Sequence, residues 1–201
     1  MQTADCYRIG VLYATREGQT KRIAEHAAAR LRARGMDVEL RSLREETDCI
    51  NLVGYSAVIL GASVHAGRHE AEAVNFVKAN LARLNSMPTA FLSVTLSEAG
   101  AERRNATLEE HVRFTADVQK MLDNFFQRTK WHPTHTKPVA GALQYSKYNV
   151  LVRFVMKRIA RKAGAETDTS RDYEYTDWPE LDRFVDEFAA EIAASRRLTS
   201  A

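Results

Sequence analysis

The chain has 201 residues, of which 45% are hydrophobic and 27% charged, and its formal net charge is +3. This composition predicts a globular protein with one sizeable core, and it excludes a largely disordered chain and a strongly basic protein that coats nucleic acid. We find no signal peptide and no apolar run near the roughly 18 residues that span a bilayer, so we expect a cytoplasmic protein.

Strands and helices alternate along the chain from Arg8 onwards. Short apolar runs and helical spacings of apolar residues predict them. In chain order they are a strand at Arg8–Ala14, a helix through Ile23 and Leu31, strands at Asp37–Leu43 and Ala57–Gly61, a helix from Ala73 to Leu84, a strand at Thr89–Val94, a helix from Leu108 to Phe125, a strand at Pro138–Leu143 and a helix from Leu181 to Ile192. Asp177 and Glu180 predict a capping box before the last helix. This alternation indicates an α/β domain with a parallel sheet covered on both faces.

The loop Thr15–Thr20 (TREGQT), between the first strand and the first helix, is a candidate phosphate site. Free N–H groups and the dipole at a helix N-terminus attract anions, and Gly18 allows close approach of the backbone. The loop lacks the Walker A and dinucleotide-binding spacings. It resembles the flavodoxin pattern Ser/Thr-x-Thr-Gly-x-Thr, with Glu17 in place of a threonine, and we expect the Glu17 carboxylate to turn away from a phosphate. The alternative is a helix N-cap with polar decoration.

A flavodoxin-type site implies FMN, which needs an anion site for its phosphate and a mostly apolar slot for its ring. The loops Gly61–His69 and Ser93–Leu96 follow the third and fourth strands and are expected to border the ring. His65 and His69 could orient a substrate or shuttle a proton, but we expect them to be solvated loop residues. No metal site is predicted, because the one loop with two close histidines lacks a third ligand. The predicted cofactor-binding residues are Thr15, Arg16, Glu17, Gly18, Gln19, Thr20, Ser63, Val64, His65, Ser93, Val94 and Thr95.

Six stretches resemble one branch of the flavodoxin superfamily, the quinone-dependent, FMN-containing protoporphyrinogen oxidases of bacterial haem biosynthesis. They are Ala14–Thr20, Gly61–Ser63, Leu84–Phe91, Ala140–Tyr145, Gly164–Thr169 and Tyr175–Trp178. The resemblance implies a flavodoxin-like, doubly wound sheet of five parallel strands in the order 2-1-3-4-5, within one FMN-binding domain at 8–197. It also implies an insertion at about 144–172, near strand 5.

The resemblance implies oxidation of protoporphyrinogen IX to protoporphyrin IX, with electrons passed to menaquinone or ubiquinone. The flavin carries this chemistry, so no catalytic side chain is assigned. A porphyrinogen has two propionates, for which Arg68, Lys147 and Arg153 are candidate partners.

The segment Asn149–Lys162 (NVLVRFVMKRIARK) is basic and amphipathic at helical spacing. Its apolar stripe is flanked by cations, and Phe154 lies among them. Such a helix can lie on an anionic bilayer, so we expect peripheral contact with the cytoplasmic face of the inner membrane. The alternative is a solvated cationic face. The candidate membrane residues are Arg153, Phe154, Lys157, Arg158 and Arg161.

Two other functions stay open. A flavodoxin-type electron carrier would use protein partners, but its docking face is usually acidic, which the cationic insertion disfavours. An NAD(P)H-dependent quinone reductase can lack a dinucleotide-binding fingerprint, so the absence of that motif from this sequence does not exclude this function. The sequence does not determine which quinone is used or whether the chain forms a homo-oligomer.

Overall fold

The computed structural model describes residues 8–45, 50–143, 145–147 and 168–199. Six strands make up its main sheet: β1 (Arg8–Ala14), β2 (Asp37–Ser42), β3 (Tyr55–His65), β4 (Arg68–His69), β5 (Thr89–Thr95) and β6 (His135–Ala140). Five of them are parallel, in the order β2-β1-β3-β5-β6, and β4 pairs antiparallel with the end of β3. With β4 set aside, this is the predicted order 2-1-3-4-5, and the predicted fold class is confirmed.

Helices cover both faces of the sheet. They are α1 (Gln19–Ala33), α2 (Ala71–Ala79), α3 (Leu81–Leu84), α4 (Leu96–Ala101), α5 (Leu108–Thr129) and α6 (Trp178–Thr199). Side chains alternate along a strand, so Ile9 and Val11 of β1 pack with α1 and α6, while Leu12 packs with α2 and α5. Because both faces are buried, the central strands are almost continuously apolar, as parallel strands usually are.

The predicted final strand at Pro138–Leu143 is wrong in its bounds. Strand β6 ends at Ala140, and the Gly141 N–H then donates to the Thr95 carbonyl at 3.1 Å. The Gly141 carbonyl accepts from the Tyr175 N–H at 3.1 Å, so the chain leaves the sheet here. Ala142–Leu143 instead forms β7, antiparallel to β8 (Tyr173–Glu174). The apolar run continues through Gly141 and hides this break in the sequence.

The helix predicted from Ala73 to Leu84 is two helices. Helix α2 ends at Ala79 and is capped by Asn80, whose side-chain Nδ2 donates to the Phe76 carbonyl at 2.9 Å, and α3 follows at once. The short helix α4 was not predicted. Helix α5 begins as predicted, and its first turn is closed by a capping box that the sequence analysis missed, between Thr107 and Glu110.

The capping box predicted for α6 is half present. Asp177 Oδ1 accepts from the Glu180 N–H at 2.9 Å. The Glu180 carboxylate pairs with Lys137 at 3.0 Å and with Arg183, so it joins α6 to β6 and to the next turn.

The predicted insertion leaves and returns at one point of the fold. The β7–β8 pair forms its base, and Asp172 accepts hydrogen bonds from the Ser146 N–H (2.8 Å) and hydroxyl (2.6 Å). The basic amphipathic segment Asn149–Lys162 lies outside the described residues. None of the described helices has both the length and the hydropathy needed to cross a membrane.

Candidate functional site

A pocket of about 240 Å³ opens at the carboxyl ends of β1, β3 and β5. Ligands of doubly wound sheets bind at this edge. Nine of the twelve predicted cofactor-binding residues line it: Thr15, Glu17, Gln19, Thr20, Ser63, Val64, His65, Val94 and Thr95. The tertiary structure therefore brings the three predicted segments to one place.

The loop Thr15–Thr20 has the geometry of an anion site. Gly18 has φ +99° before the first turn of α1, and its N–H donates to Thr15 Oγ1 at 3.1 Å. Thr20 is buried, and its Oγ1 has no hydrogen-bond partner among the described residues. A buried hydroxyl without a partner costs about 1–3 kcal/mol, so the site fits a ligand that satisfies it, such as a phosphate oxygen. Glu17 is half-buried beside the pocket, and the direction of its carboxylate stays a prediction.

Gln19 ties this loop to the β7–β8 pair. Its Nε2 donates to Glu174 Oε1 at 2.8 Å and to Thr176 Oγ1 at 2.9 Å. The Thr176 hydroxyl donates in turn to the Ala140 carbonyl at 2.8 Å. The loop after β1 is thus fixed to the end of β6 by buried hydrogen bonds, which the sequence did not indicate.

Gly61 of β3 lies directly behind the loop. A Cβ at Gly61 would lie 3.1 Å from Thr20 Cγ2, tighter than nine in ten real Cβ contacts. The glycine therefore lets the N-terminus of α1 approach the sheet closely.

The segment Gly61–His69 was predicted to be a loop, and this prediction is wrong. Strand β3 continues to His65, and Ala66 (φ +49°) and Gly67 (φ +74°) turn the chain into β4. Antiparallel pairing between Val64 and His69 satisfies the backbone of this hairpin. Its residues are thus held on strands rather than on a mobile loop.

A buried carboxylate connects the hairpin to the phosphate loop. Glu70 is 3% exposed and accepts from Arg16 Nε at 2.9 Å and from the Ser63 hydroxyl at 3.3 Å. His65 Nε2 lies 3.4 Å from the same carboxylate. Arg16, which does not line the pocket, therefore positions the loop through Glu70. Glu70 was not predicted as a site residue, since a lone acid after a strand carries no motif.

Ser93 and His69 lie together on the face of the sheet that α2 and α5 cover. Ser93 does not line the pocket, because its hydroxyl is 2.9 Å from His69 Nε2. His69 is buried, against the expectation of a solvated loop histidine, with its ring centroid 4.8 Å from that of Phe125. Burial, assisted by the nearby Arg128 charge, lowers the pKa of His69 to about 4. His69 is therefore neutral near pH 7.

The candidates for substrate and membrane contact are placed only in part. Arg68 lies exposed on β4, next to the pocket. Lys147 ends a 3₁₀ turn at Tyr145–Lys147, but its side chain is outside what the structure describes. The other candidates, Arg153, Phe154, Lys157, Arg158 and Arg161, lie outside the described residues. Within the described part of the chain, no group of three or more His, Cys, Asp or Glu residues could hold a metal ion.

Comparison with known proteins agrees with this geometry. The chain is similar to protoporphyrinogen IX dehydrogenase (quinone) of Escherichia coli K12, with 34% identity over 181 residues, which cover 89% of this chain and 93% of that protein. The protein of the same name from Leishmania major is 32% identical over 90% of this chain and 74% of its own length.

Solved structures share the fold at low identity. A flavodoxin of Streptococcus pneumonia TIGR4 matches with a TM-score of 0.50 and 16% identity, over 94% of this chain and 99% of that one. The rubredoxin:oxygen oxidoreductase of Desulfovibrio gigas matches with a TM-score of 0.52 and 13% identity, over 93% of this chain and 36% of that one. The family model described as Flavodoxin domain matches residues 10–170. The chain therefore belongs to the flavodoxin-domain family, in the branch that contains the relatives named protoporphyrinogen IX dehydrogenase (quinone).

Proposed function

We propose that this chain, as one domain over residues 8–197, binds FMN and oxidises protoporphyrinogen IX to protoporphyrin IX, with electrons passed to menaquinone or ubiquinone. The main support for this proposal is the phosphate loop, in which the Thr20 hydroxyl has no hydrogen-bond partner among the described residues. This loop lines a pocket at the carboxyl edge of the sheet. The shared descent with dehydrogenases of that name supports the substrate and the acceptor.

The residues of the pocket fit FMN. The phosphate would lie at the N-terminus of α1, held by the hydroxyls of Thr15 and Thr20 and by backbone N–H groups of the loop. The ring would lie between the hairpin residues Ser63–His65 and the strand end Val94–Thr95. When bound, FMN supplies two-electron transfer, so the six-electron oxidation of a porphyrinogen requires three cycles.

The chain's own contribution is binding and orientation. The buried Glu70 carboxylate holds Arg16 of the phosphate loop and Ser63 of β3 in one hydrogen-bonded network. Leu96 and Met121 add apolar surface to the pocket. Rigid placement of this kind is how a protein lowers the cost of orienting a cofactor and a substrate.

We also propose peripheral contact with an anionic membrane, because the quinone acceptor resides there. Its support is the basic amphipathic segment Asn149–Lys162, which is known from the sequence alone.

The test is anaerobic mixing of the FMN-loaded protein with protoporphyrinogen IX and a soluble menaquinone analogue, followed by porphyrin fluorescence. We expect a rise that requires protein, FMN and quinone together. A rate equal to the protein-free control would refute the oxidase. Rapid flavin reduction by NAD(P)H would then favour the quinone reductase, and its absence would favour an electron carrier.

A further inference from the structure

A second groove adjoins the pocket along the β3–β4 hairpin. It has a volume of about 630 Å³ and lies between this hairpin and the second half of α5. The groove and the pocket share Ala66, Gly67 and Met121 in their walls. A ligand in the groove would therefore extend directly to the predicted position of the flavin.

The rim of this groove is cationic. Arg68 of β4 and Lys120 and Arg128 of α5 line it, and all three are exposed. Asp117 is the one carboxylate among the lining residues. No described carboxylate lies within 4.0 Å of the charged nitrogens of these three cations, whereas Arg30 pairs with two aspartates. A concave surface with cations of this kind attracts anionic ligands.

The floor of the groove is uncharged. His69 is buried there in its neutral form, hydrogen-bonded to Ser93 at 2.9 Å. Its ring packs on Phe125, which stacks on Phe91 with ring centroids 4.5 Å apart. An uncharged floor beneath a cationic rim suits a ligand that presents carboxylates to the rim.

On α5 the cations have helical spacing. Lys120 and Arg128 lie eight positions apart, with Asn124 halfway between them, so the three share one face of the helix. Arg68 faces the same groove from β4, on the opposite wall. The groove therefore presents positive charge from two sides, which matches a ligand with two separate carboxylates.

We propose that this groove binds the two propionates of the porphyrinogen, with Arg68, Lys120 and Arg128 as their partners. The inference rests on the proposed function and names the part of the site that recognises that substrate. The volume falls within the range of about 300–1,000 Å³ that is usual for small-molecule sites. The macrocycle would then lie toward the pocket shared with the flavin.

The test compares a diacid with its ester. The FMN-loaded full chain and the triple variant Arg68→Gln, Lys120→Gln, Arg128→Gln are titrated with protoporphyrin IX and with its dimethyl ester, in detergent without lipid, by porphyrin fluorescence anisotropy. We expect the triple variant to bind the diacid at least about tenfold more weakly, and each single variant about two- to fivefold, as for exposed ion pairs. Affinity for the ester should change less than twofold. High salt should weaken diacid binding by the wild type only.

Two exposed cations outside the groove provide matched controls, Lys78→Gln and Arg104→Gln, which should leave both affinities unchanged. Equal affinity of the triple variant and the wild type for the diacid overturns the inference. If the triple variant instead loses only sedimentation with phosphatidylglycerol vesicles, the cations serve lipid headgroups and the inference is again wrong. A wild type that binds the diacid through these cations but does not oxidise the porphyrinogen refutes the proposed function alone. A wild type that does neither refutes both.

Discussion

At the residue scale, the hydroxyl of Thr20 is where the proposed ligand site and a simple helix cap lead to different predictions. It is buried at the first turn of α1 and has no partner among the described residues. A valine has nearly the same shape but cannot make a hydrogen bond. This substitution therefore tests the hydroxyl without opening a cavity.

We predict that Thr20→Val weakens FMN binding about tenfold or more, because a hydrogen bond to a charged group is worth about 1.5–3 kcal/mol. The free energy of unfolding of the FMN-free chain should stay the same or rise, since an unsatisfied polar group is removed. Fluorescence titration of FMN and urea unfolding measure the two effects. Thr115→Val, at an exposed position of α5, is the control. Unchanged FMN affinity would show that the phosphate does not contact Thr20.

His69 predicts a pH dependence of stability. Its pKa is about 4 in the folded state and 6.5 when unperturbed. Between these two pH values the unfolded chain therefore binds more protons than the folded chain. The contribution of His69 to the free energy of unfolding is thus complete above about pH 6.5 and is lost as the pH falls toward 4. The lost contribution is about 3 kcal/mol.

Urea unfolding of His69→Gln and wild type across that range tests this, since the variant lacks the titrating group. We expect a shallower fall in stability with decreasing pH than in the wild type. The exposed His132 is the control, and His132→Gln should follow the wild type. Parallel curves for His69→Gln and wild type would contradict the buried, neutral histidine.

At the scale of elements, the contact between β3 and α1 positions the phosphate loop. A methyl group at Gly61 would press on Thr20 Cγ2, and the Thr20 side chain would have to shift by a few tenths of an ångström. Serine at position 20 keeps the hydroxyl but lacks that methyl. The substitutions Gly61→Ala and Thr20→Ser can therefore be combined in a rescue experiment.

We predict that Gly61→Ala weakens FMN binding by about five- to tenfold, since overpacking a tight contact costs about 1–3 kcal/mol. Adding Thr20→Ser should restore most of the affinity, which a double-mutant cycle measures as coupling between the two sites. The single variant Thr20→Ser should bind FMN nearly as well as wild type. Additive effects would show that Gly61 acts on the flavin site by another route.

Hydrophobic patterns predicted most elements, because burial on both faces of the sheet leaves long apolar runs. They failed where a hydrogen bond to a distant segment redirects the chain. Gly141 illustrates this, since its carbonyl accepts from Tyr175 and so ends the sheet within an apolar stretch. Glu70 and the phosphate loop likewise meet through contacts across 54 residues of sequence.

At the scale of the whole molecule, the proposed membrane contact is separable from the flavin site. The variant Phe154→Ser, Arg158→Glu, Arg161→Glu alters only the basic segment between the two ends of the insertion. We predict that it lowers sedimentation with anionic liposomes about tenfold or more, since each cation near the surface adds about 1 kcal/mol. FMN affinity should stay unchanged, because the loop Thr15–Thr20 is intact. Unchanged sedimentation would show that this segment does not bind the membrane.

The sequence by itself determined the alternation of strands and helices, the candidate phosphate loop and the family resemblance, because local spacing and short motifs encode all three. The tertiary structure alone decided which side chains meet. It placed Ser93 against His69 rather than in the pocket, and it joined Arg16 to Ser63 through Glu70. It also set Arg68 across a groove from Lys120 and Arg128. Such groupings depend on which strands become neighbours and which helix covers them, and that order follows from packing of the whole chain rather than from any one segment.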